Sequence, residues 1–395
     1  MPITIAPNKI IRGAQYIKDF CFSCGHTVPI YHVNTIHALT QVIGYVKFIN
    51  APYGNVLYRG QCRLYDSLEP SIYHGHKTAQ DRAQQNSKQN LVIQKALADK
   101  KFCKYTHISD NSVSRIKLTS IFQHYGIPTQ YLDVVDNHWT ALWFGLNKYH
   151  VHENGGMYCK YEQRHIDYLD AINQRALLSN DEYEEYAEKF YQYIILIAVS
   201  AGGSYNANGI TIGDDTIAVN LRSALPSTFL RPHAQHGWTI RRKTTDGLFG
   251  LDMAPNVVGI LRMRIDDVDK WLGNGELLSE RGLFPDPQND LGYGVLLQHT
   301  EFFEGTGLQI PYFTYLKEHR TVLYNNLLLT GKLTAHLQEI DEAANSRLEQ
   351  MIPELAKAAG ATESLKASDP MRWVGLMNTC KAQAEEIILT ELINN

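Results

Sequence analysis

The 395-residue chain carries 37 basic and 41 acidic side chains, a formal net charge of −4, so no overall positive field draws it to nucleic acid or anionic lipid. Apolar residues make up 44% and charged residues 20%, the balance of a globular chain long enough for a large core and more than one domain. No apolar run reaches the roughly 18 residues of a membrane span, the opening MPITIAPNKIIRG lacks a signal-peptide core, and six scattered cysteines are too few for a disulfide framework, so a cytoplasmic location without membrane partners is expected.

Cys21-Phe22-Ser23-Cys24-Gly25-His26, with His32 nearby, offers part of a zinc site. Four ligands usually come from two such pairs and there is no second pair, so no metal is expected and two reduced thiols beside an element end remain the reading. Val33 to Ile49 carries Ile36, Leu39, Val42, Ile43, Val46 and Ile49 at spacings of three and four, which predicts an amphipathic helix capped at Asn34. After a Pro52-Tyr53-Gly54 turn, Asn55 to Gly60 predicts a short strand that brings Tyr58, Arg59 and Gln61 to its end. A guanidinium there is costly unless it meets an anion. An internal ion pair and a clamp on a ligand's phosphate or carboxylate fit equally well.

Leu68-Glu69-Pro70-Ser71 reads as a loop, His74-Gly75-His76 as a loop tip with solvated histidines, and residues 78–106 as helical. The densest stretch runs from Leu118 to Leu146. A helix through Gln123 leads to His124 and Tyr125, a turn at Gly126 and Pro128 follows, and Thr129, Tyr131 and Asp133 come within the next five residues. Polar and aromatic groups crowded between two buried elements are what a cleft requires. Trp139 to Leu146 is apolar nearly all round and predicts a buried helix.

Gly155 to Cys159 reads as a turn entering a strand, residues 166–192 as an acidic, solvated helical stretch, and Tyr193 to Val199 as a central strand. Gly202 to Asp215 is a loop or hairpin whose glycines match neither the dinucleotide fingerprint nor a phosphate loop. From Thr216 to Thr245 there is no acidic residue, while Arg222, Arg231, Arg241, Arg242, Lys243, His233 and His236 fall there. A basic surface balanced by the acidic stretch and a face for nucleic acid or a phosphate-bearing ligand are both open. Val257 to Ile265 predicts a strand, Asp266-Asp267 a cap on a helix Val268 to Leu272, and Glu276 to Asp286 a helix stopped by Gly282 and Pro285. Beyond residue 300 the character turns helical, with helices predicted over 317–337, 337–357 and 371–392.

Tyr58-Arg59-Gly60-Gln61, then Glu69-Pro70-Ser71, then His124 through Asp133, then Ala141-Leu142-Trp143-Phe144 resemble the FRG domain, a family named for its (F/Y)RG motif. Arg231, Gln235-His236-Gly237 and Leu283-Phe284-Pro285-Asp286 fit its later motifs, so the resemblance spans about residues 35–300. Where the family usually continues LLDWT, this chain has Leu132-Asp133-Val134-Val135. In motif order the chain is also similar to ADP-ribosyltransferases. That second resemblance implies that Arg59 holds NAD as substrate, with Tyr58, Gln61, Tyr125, Thr129 and Tyr131 around it. It puts Gln235 where those enzymes usually carry a glutamate, which leaves Asp133 as the carboxylate and His124 as a base. Glu280 and Glu301 are weaker candidates for the acid.

The expected fold is α+β, a mixed or split β-core of ADP-ribosyltransferase type flanked by helices, with an N-terminal segment over 1–34, the FRG-like domain over 35–304 and a helical extension over 305–395. The expected function is NAD-dependent ADP-ribosyl transfer of toxin or phage-defence type onto a nucleic acid or protein, restrained by an antitoxin or other regulatory partner docked on the extension. A non-catalytic ligand- or nucleic-acid-binding module and a nuclease pairing His124 with Asp133 are the alternatives.

Overall fold

The computed structural model describes residues 1–108, 112–152, 158–244, 249–287, 289–308, 347, 350–362, 365–366 and 369–388. Met1–His152 with Met157–Phe313 forms one compact unit, and Glu153–Gly156 with Thr314–Asn395 forms another.

The first unit opens with strands β1 (Ala14–Cys21) and β2 (Thr27–Val33), helix α1 (Ile36–Asn50) and strand β3 (Gly54–Gln61). Three helices follow, α2 (Ala79–Ala98), α3 (Lys100–Thr106) and α4 (Ser112–His124), then β4 (Leu132–Val135), α5 (His138–Leu146) and a hairpin of β5 (Asn147–His152) and β6 (Tyr158–Gln163). After α6 (Tyr168–Leu177) and α7 (Asn180–Ala187) come β7 (Tyr191–Ser200), β8 (Gly203–Ala207), β9 (Ile210–Gly213) and β10 (Thr216–Asn220). The unit continues through α8 (Leu221–Ala224), α9 (Leu230–Gln235), β11 (Gly237–Arg242), β12 (Val257–Arg264), α10 (Ile265–Trp271), α11 (Glu280–Leu283) and α12 (Leu291–Gln298).

Ten strands form one sheet in the order β1-β2-β12-β7-β3-β4-β11-β10-β9-β8. Neighbours run antiparallel except β2 and β12, which are parallel, so the molecule is an α+β fold on a large mixed sheet. The apolar run of β7 lies mid-sheet and is buried on both faces, as a doubly covered strand requires. Ile194 and Leu196 pack with Tyr58, α1 and α5 on one face; Ile195 and Ile197 pack with Leu57, Leu132 and Ile240 on the other. Residues 14–33 supply β1 and β2 and so build one edge of this sheet.

Several elements begin or end away from the expected residue for identifiable reasons. Val33 is held in the ladder opposite Ala14, so α1 starts at Ile36 and Thr35, not Asn34, caps it through Ala38 N at 3.2 Å. Thr35→Ala is therefore expected to destabilise the unit by about 1 kcal/mol, read as a lowered urea midpoint at unchanged slope. Asp266 and Asp267 occupy the first turn of α10, not its cap, and Asp266 pairs with Arg264 at 3.0 Å. The helix expected over 276–286 shortens to α11, because Ser279 caps Gly282 N and the chain before it turns at Gly273 and Gly275 with positive φ. Asn208 and Gly209, with φ of 51° and 75°, make the 202–215 segment a β8–β9 hairpin.

In the second unit, residues 350–358 and Pro370–Ile388 are helical. The turn expected at 155–157, the helix at 317–337 and, apart from Arg347, residues 337–349 of the helix at 337–357 lie outside the described residues. None of the described helices is long and apolar enough to cross a membrane.

Candidate functional site

The sheet loosens beside β3. This strand pairs with β7 along its whole length but with β4 only at Tyr58 opposite Val135, so β3 and β4 diverge beyond that point. Alternation along β3 turns Tyr58 and Gly60 toward α5 and turns Arg59 and Gln61 the other way. Gly60 lies so close to the α5 backbone that an added Cβ would sit 1.8 Å from the Ala141 carbonyl oxygen. Tyr58 is buried, its ring 5.1 Å from the Lys47 ammonium.

Arg59 leans into the divergence and donates from Nη1 to the Asp133 carbonyl at 2.7 Å. Burial pulls its guanidinium below the ordinary arginine range, opposed by the nearby Asp133 carboxylate. Arg59 Nε and Gln61 Oε1 are both buried without a hydrogen-bond partner among the described residues. Two orphaned polar atoms of opposite sense, on one strand end, are what a bound polar ligand would satisfy.

Asp133 is held from one side by the end of α4. Gln123 Nε2 donates to its Oδ2 at 2.6 Å, and His124 Nδ1 lies 3.3 Å from its Oδ1. The Gln123 Oε1 accepts in turn from the Thr129 backbone N–H at 3.1 Å and from its hydroxyl at 2.8 Å. This register exists because α4 stops in a Schellman turn: Ile127 N bonds Phe122 O, Gly126 N bonds Gln123 O, and Gly126 takes a φ of 89°. The His124 side chain is only 3% exposed, while that of Asp133 is 39% exposed. An added Cβ on Gly237 would sit 2.6 Å from the His124 ring, and Nε2 is enclosed without a partner, so His124 orients the carboxylate and does not face solvent.

Tyr125, one residue on, belongs to a different assembly. Its hydroxyl donates to Asp290 Oδ2 at 2.6 Å, and Asp290 also accepts from Arg231 N at 2.9 Å and Tyr293 N at 3.0 Å. The Arg231 guanidinium lies 4.5 Å from the rings of both Tyr125 and Tyr293. All four residues are buried. Burial and the Asp290 carboxylate push the Tyr125 hydroxyl far above the usual tyrosine range, so it stays protonated and donates. Tyr125→Phe is expected to cost about 1–2 kcal/mol by leaving that carboxylate short of a donor, seen as a lower thermal midpoint.

Gln235 is buried in α9 and donates to the Leu283 carbonyl at 2.8 Å, which ties the Gln-His-Gly and Leu-Phe-Pro-Asp segments together. Tyr131 is buried with its ring 5.6 Å from Arg241. The structure thus brings Arg59, Asp133, His124 and Thr129 into one network with Gln61 beside it. It places Tyr58 on the opposite face and Tyr125, Tyr131 and Gln235 inside the packing.

The acid-free window does not form a single basic face. Arg222 pairs with Asp136, which also accepts from Trp238 Nε1 at 3.0 Å. Arg231 is buried, Arg241 and Arg242 alternate in β11, and Lys243 reaches the Gly213 carbonyl at 3.3 Å. Cys21 and Cys24 are exposed, and His26 Nε2 lies 2.8 Å from the Val257 carbonyl. Among the described residues, the metal-type donors that converge are Asp99, His299 and Glu301. Gln123, Asp136 and Asp290 were not singled out in the sequence. The spacing from Gln123 to Asp133 across one turn was the available signal for the first; Asp290 pairs with partners 59 and 165 residues away and leaves none.

Residues 54–154 match the FRG domain model, so the chain carries an FRG domain there. The match includes the Tyr-Arg-Gly-Gln strand end, the Glu-Pro-Ser loop, the His124–Asp133 stretch and the start of α5. Residues 310–393 match the model of the transposon-encoded protein TnpV. No curated protein and no solved structure matches the chain. Neither family match bears on the resemblance to ADP-ribosyltransferases.

Proposed function

We propose that this FRG-domain protein is an NAD-dependent ADP-ribosyltransferase of toxin or phage-defence type, with its site in a split, transferase-like β-core where β3 and β4 diverge. One observation carries the reading: Arg59 binds the backbone of the very residue whose carboxylate remains 39% exposed. A cation and a carboxylate then share one crevice. Breaking the nicotinamide–ribose bond develops positive charge on the ribose, which a fixed carboxylate stabilises. Arg59 suits the pyrophosphate as a forked donor, with its Nε and the Gln61 side-chain Oε1 as the atoms a dinucleotide would satisfy. Asp133 faces the ribose, held by Gln123 and His124. Gln235 carries no charge and is engaged with Leu283, so the electrostatic role falls to Asp133.

The acceptor is a nucleic acid or a protein in the cytoplasm, and a regulatory partner docks on the segment 305–395. One further reading has an observation behind it. The enclosed His124 Nε2 and the engaged Gln235 favour a module that binds a ligand without transfer. The same enclosure argues against a nuclease with His124 as base, although His124 does meet Asp133. To decide, the protein is incubated with cell extract and NAD labelled in its ADP-ribose part. Transfer of label to a macromolecule is expected from the native protein and not from Arg59→Ala. Binding of NAD with neither transfer nor nicotinamide release would establish the module instead.

A further inference from the structure

The acidic stretch after residue 166 folds as α6 and α7, and α6 is packed inside out for a helix of its composition. At 100° per residue, Tyr168, Leu169, Ile172, Ala176 and Leu177 share one half of its surface, while Asp170, Ala171 and Gln174 share the other. Helix α1 is built on the same period and turns Leu39, Val42, Ile43 and Val46 into the core. In α6 the polar half faces inward and Ala171 is its one buried residue. Leu169 and Leu177 are each 77% exposed and Ile172 is 67% exposed.

Polar bonds fix this orientation. The Tyr186 hydroxyl of α7 donates to Asp170 Oδ2 at 2.5 Å, and Lys189 Nζ reaches the same oxygen at 3.2 Å. Gln174 Nε2 donates to Asp170 Oδ1 at 3.2 Å, and the Tyr168 hydroxyl donates to Asp266 Oδ2 at 2.8 Å. Rolling the helix over to bury its aliphatic side chains would break these bonds. Single exposed apolar side chains are ordinary on a protein surface; several gathered on one helix face mark an interaction surface.

Charge decides what can cover that face. Between Asp167 and Lys189 there are seven carboxylates and two cations. Both cations are engaged, Lys189 with Asp170 and Arg175 over the Tyr183 ring at 4.8 Å. Asp181, Glu184 and Glu185 are exposed on α7, and none of the three has an ion-pair partner among the described residues. A second copy of the chain would set this acidic helix against its own like charge. Nucleic acid and anionic lipid would be repelled. A helix with leucine-type side chains on one face and lysine or arginine around it complements both the apolar face and the carboxylates.

We propose that the outward face of α6, beside the carboxylates of α7, docks a basic amphipathic helix of a partner protein. This surface shares no residue with the Arg59 crevice and does not depend on the transferase reading.

The probe is a dye-labelled helical peptide with leucine on one face and lysine on the other, titrated with the full chain and followed by fluorescence anisotropy. It is expected to bind at least about tenfold tighter than either of two controls. A scrambled peptide of the same composition keeps the charge without the apolar face; a leucine–glutamate peptide keeps the face with the wrong charge. Leu169→Gln combined with Ile172→Gln is expected to remove the advantage over the scrambled peptide. Glu184→Gln combined with Glu185→Gln is expected to shrink the advantage over the leucine–glutamate peptide, and it keeps the test alive if the first pair does not fold. Both pairs replace exposed side chains and are expected to keep the native thermal midpoint. Equal binding of the three peptides, or a preference that survives both pairs, overturns the proposal. So does a clearly lowered midpoint in Leu169→Gln with Ile172→Gln, which would mean that the chain itself covers this face. A native dimer in light scattering that the same pair dissociates would assign the face to a second copy and overturn it as well.

Discussion

Gly60→Ala is expected to destabilise the protein by about 4 kcal/mol or more, a loss large enough to abolish soluble expression. The added methyl would meet backbone, not a movable side chain: 1.8 Å from the Ala141 oxygen, 2.8 Å from the Ala141 carbonyl carbon and 2.8 Å from Gly145 N. Relief requires lifting α5 off β3, and α5 contributes Ala141, Leu142, Trp143 and Leu146 to the core on that face. The glycine of the Tyr-Arg-Gly motif is thus a packing requirement, distinct from any role of the arginine beside it. Circular dichroism and a thermal melt of whatever protein is recovered check this. A soluble Gly60→Ala protein within about 1 kcal/mol of native would mean that α5 does not sit against β3 this closely.

Arg59→Ala is expected to lower kcat/KM for NAD by at least about 100-fold, because a preorganised charged donor to a phosphate is lost in a crevice of low dielectric. Arg59→Lys keeps the charge but not the fork, and is expected to recover only a small part of the activity. If Arg59 contacts the phosphates equally in ground and transition states, the loss falls mainly on KM; if it also draws Asp133 toward the ribose through the 2.7 Å bond to its backbone, kcat falls as well. Stability is expected to change little, since removing the side chain also removes a half-satisfied buried cation. Steady-state kinetics on folded variants measure the split. Native kcat/KM in Arg59→Ala would dissociate this residue from the reaction.

Much of the core was legible because its elements keep one period along their length. The three-and-four spacing of α1, the continuous apolar run of β7 and the all-round apolar α5 each follow from burial alone. The two N-terminal strands were not legible, since β1 lies at the sheet edge with mostly exposed side chains and its place depends on β2 pairing with β12, more than two hundred residues away. Face assignment was within reach: Tyr58 and Arg59 are neighbours in a strand, so they point to opposite sides and cannot both line one crevice. Arg231 shows the opposite limit. In sequence it belongs to a basic window, yet Tyr125, Tyr293 and Phe284 enclose it, and those rings come from three separate segments. The pairing of Gln123 and His124 with Asp133 depends on the Gly126 turn, whose left-handed geometry glycine signals but whose exit direction it does not fix.

Asp133→Asn removes the carboxylate's charge from the crevice. The substitution keeps shape, and its amide oxygen can still accept from Gln123 while its NH2 faces His124 in the other tautomer, so the network around it is conserved. Nicotinamide release from NAD is measured beside NAD affinity and the thermal midpoint. A carboxylate that stabilises the developing ribose charge predicts an unchanged midpoint, NAD affinity within a few-fold of native, and turnover lower by at least about 100-fold. Native turnover by a folded Asp133→Asn protein would contradict it.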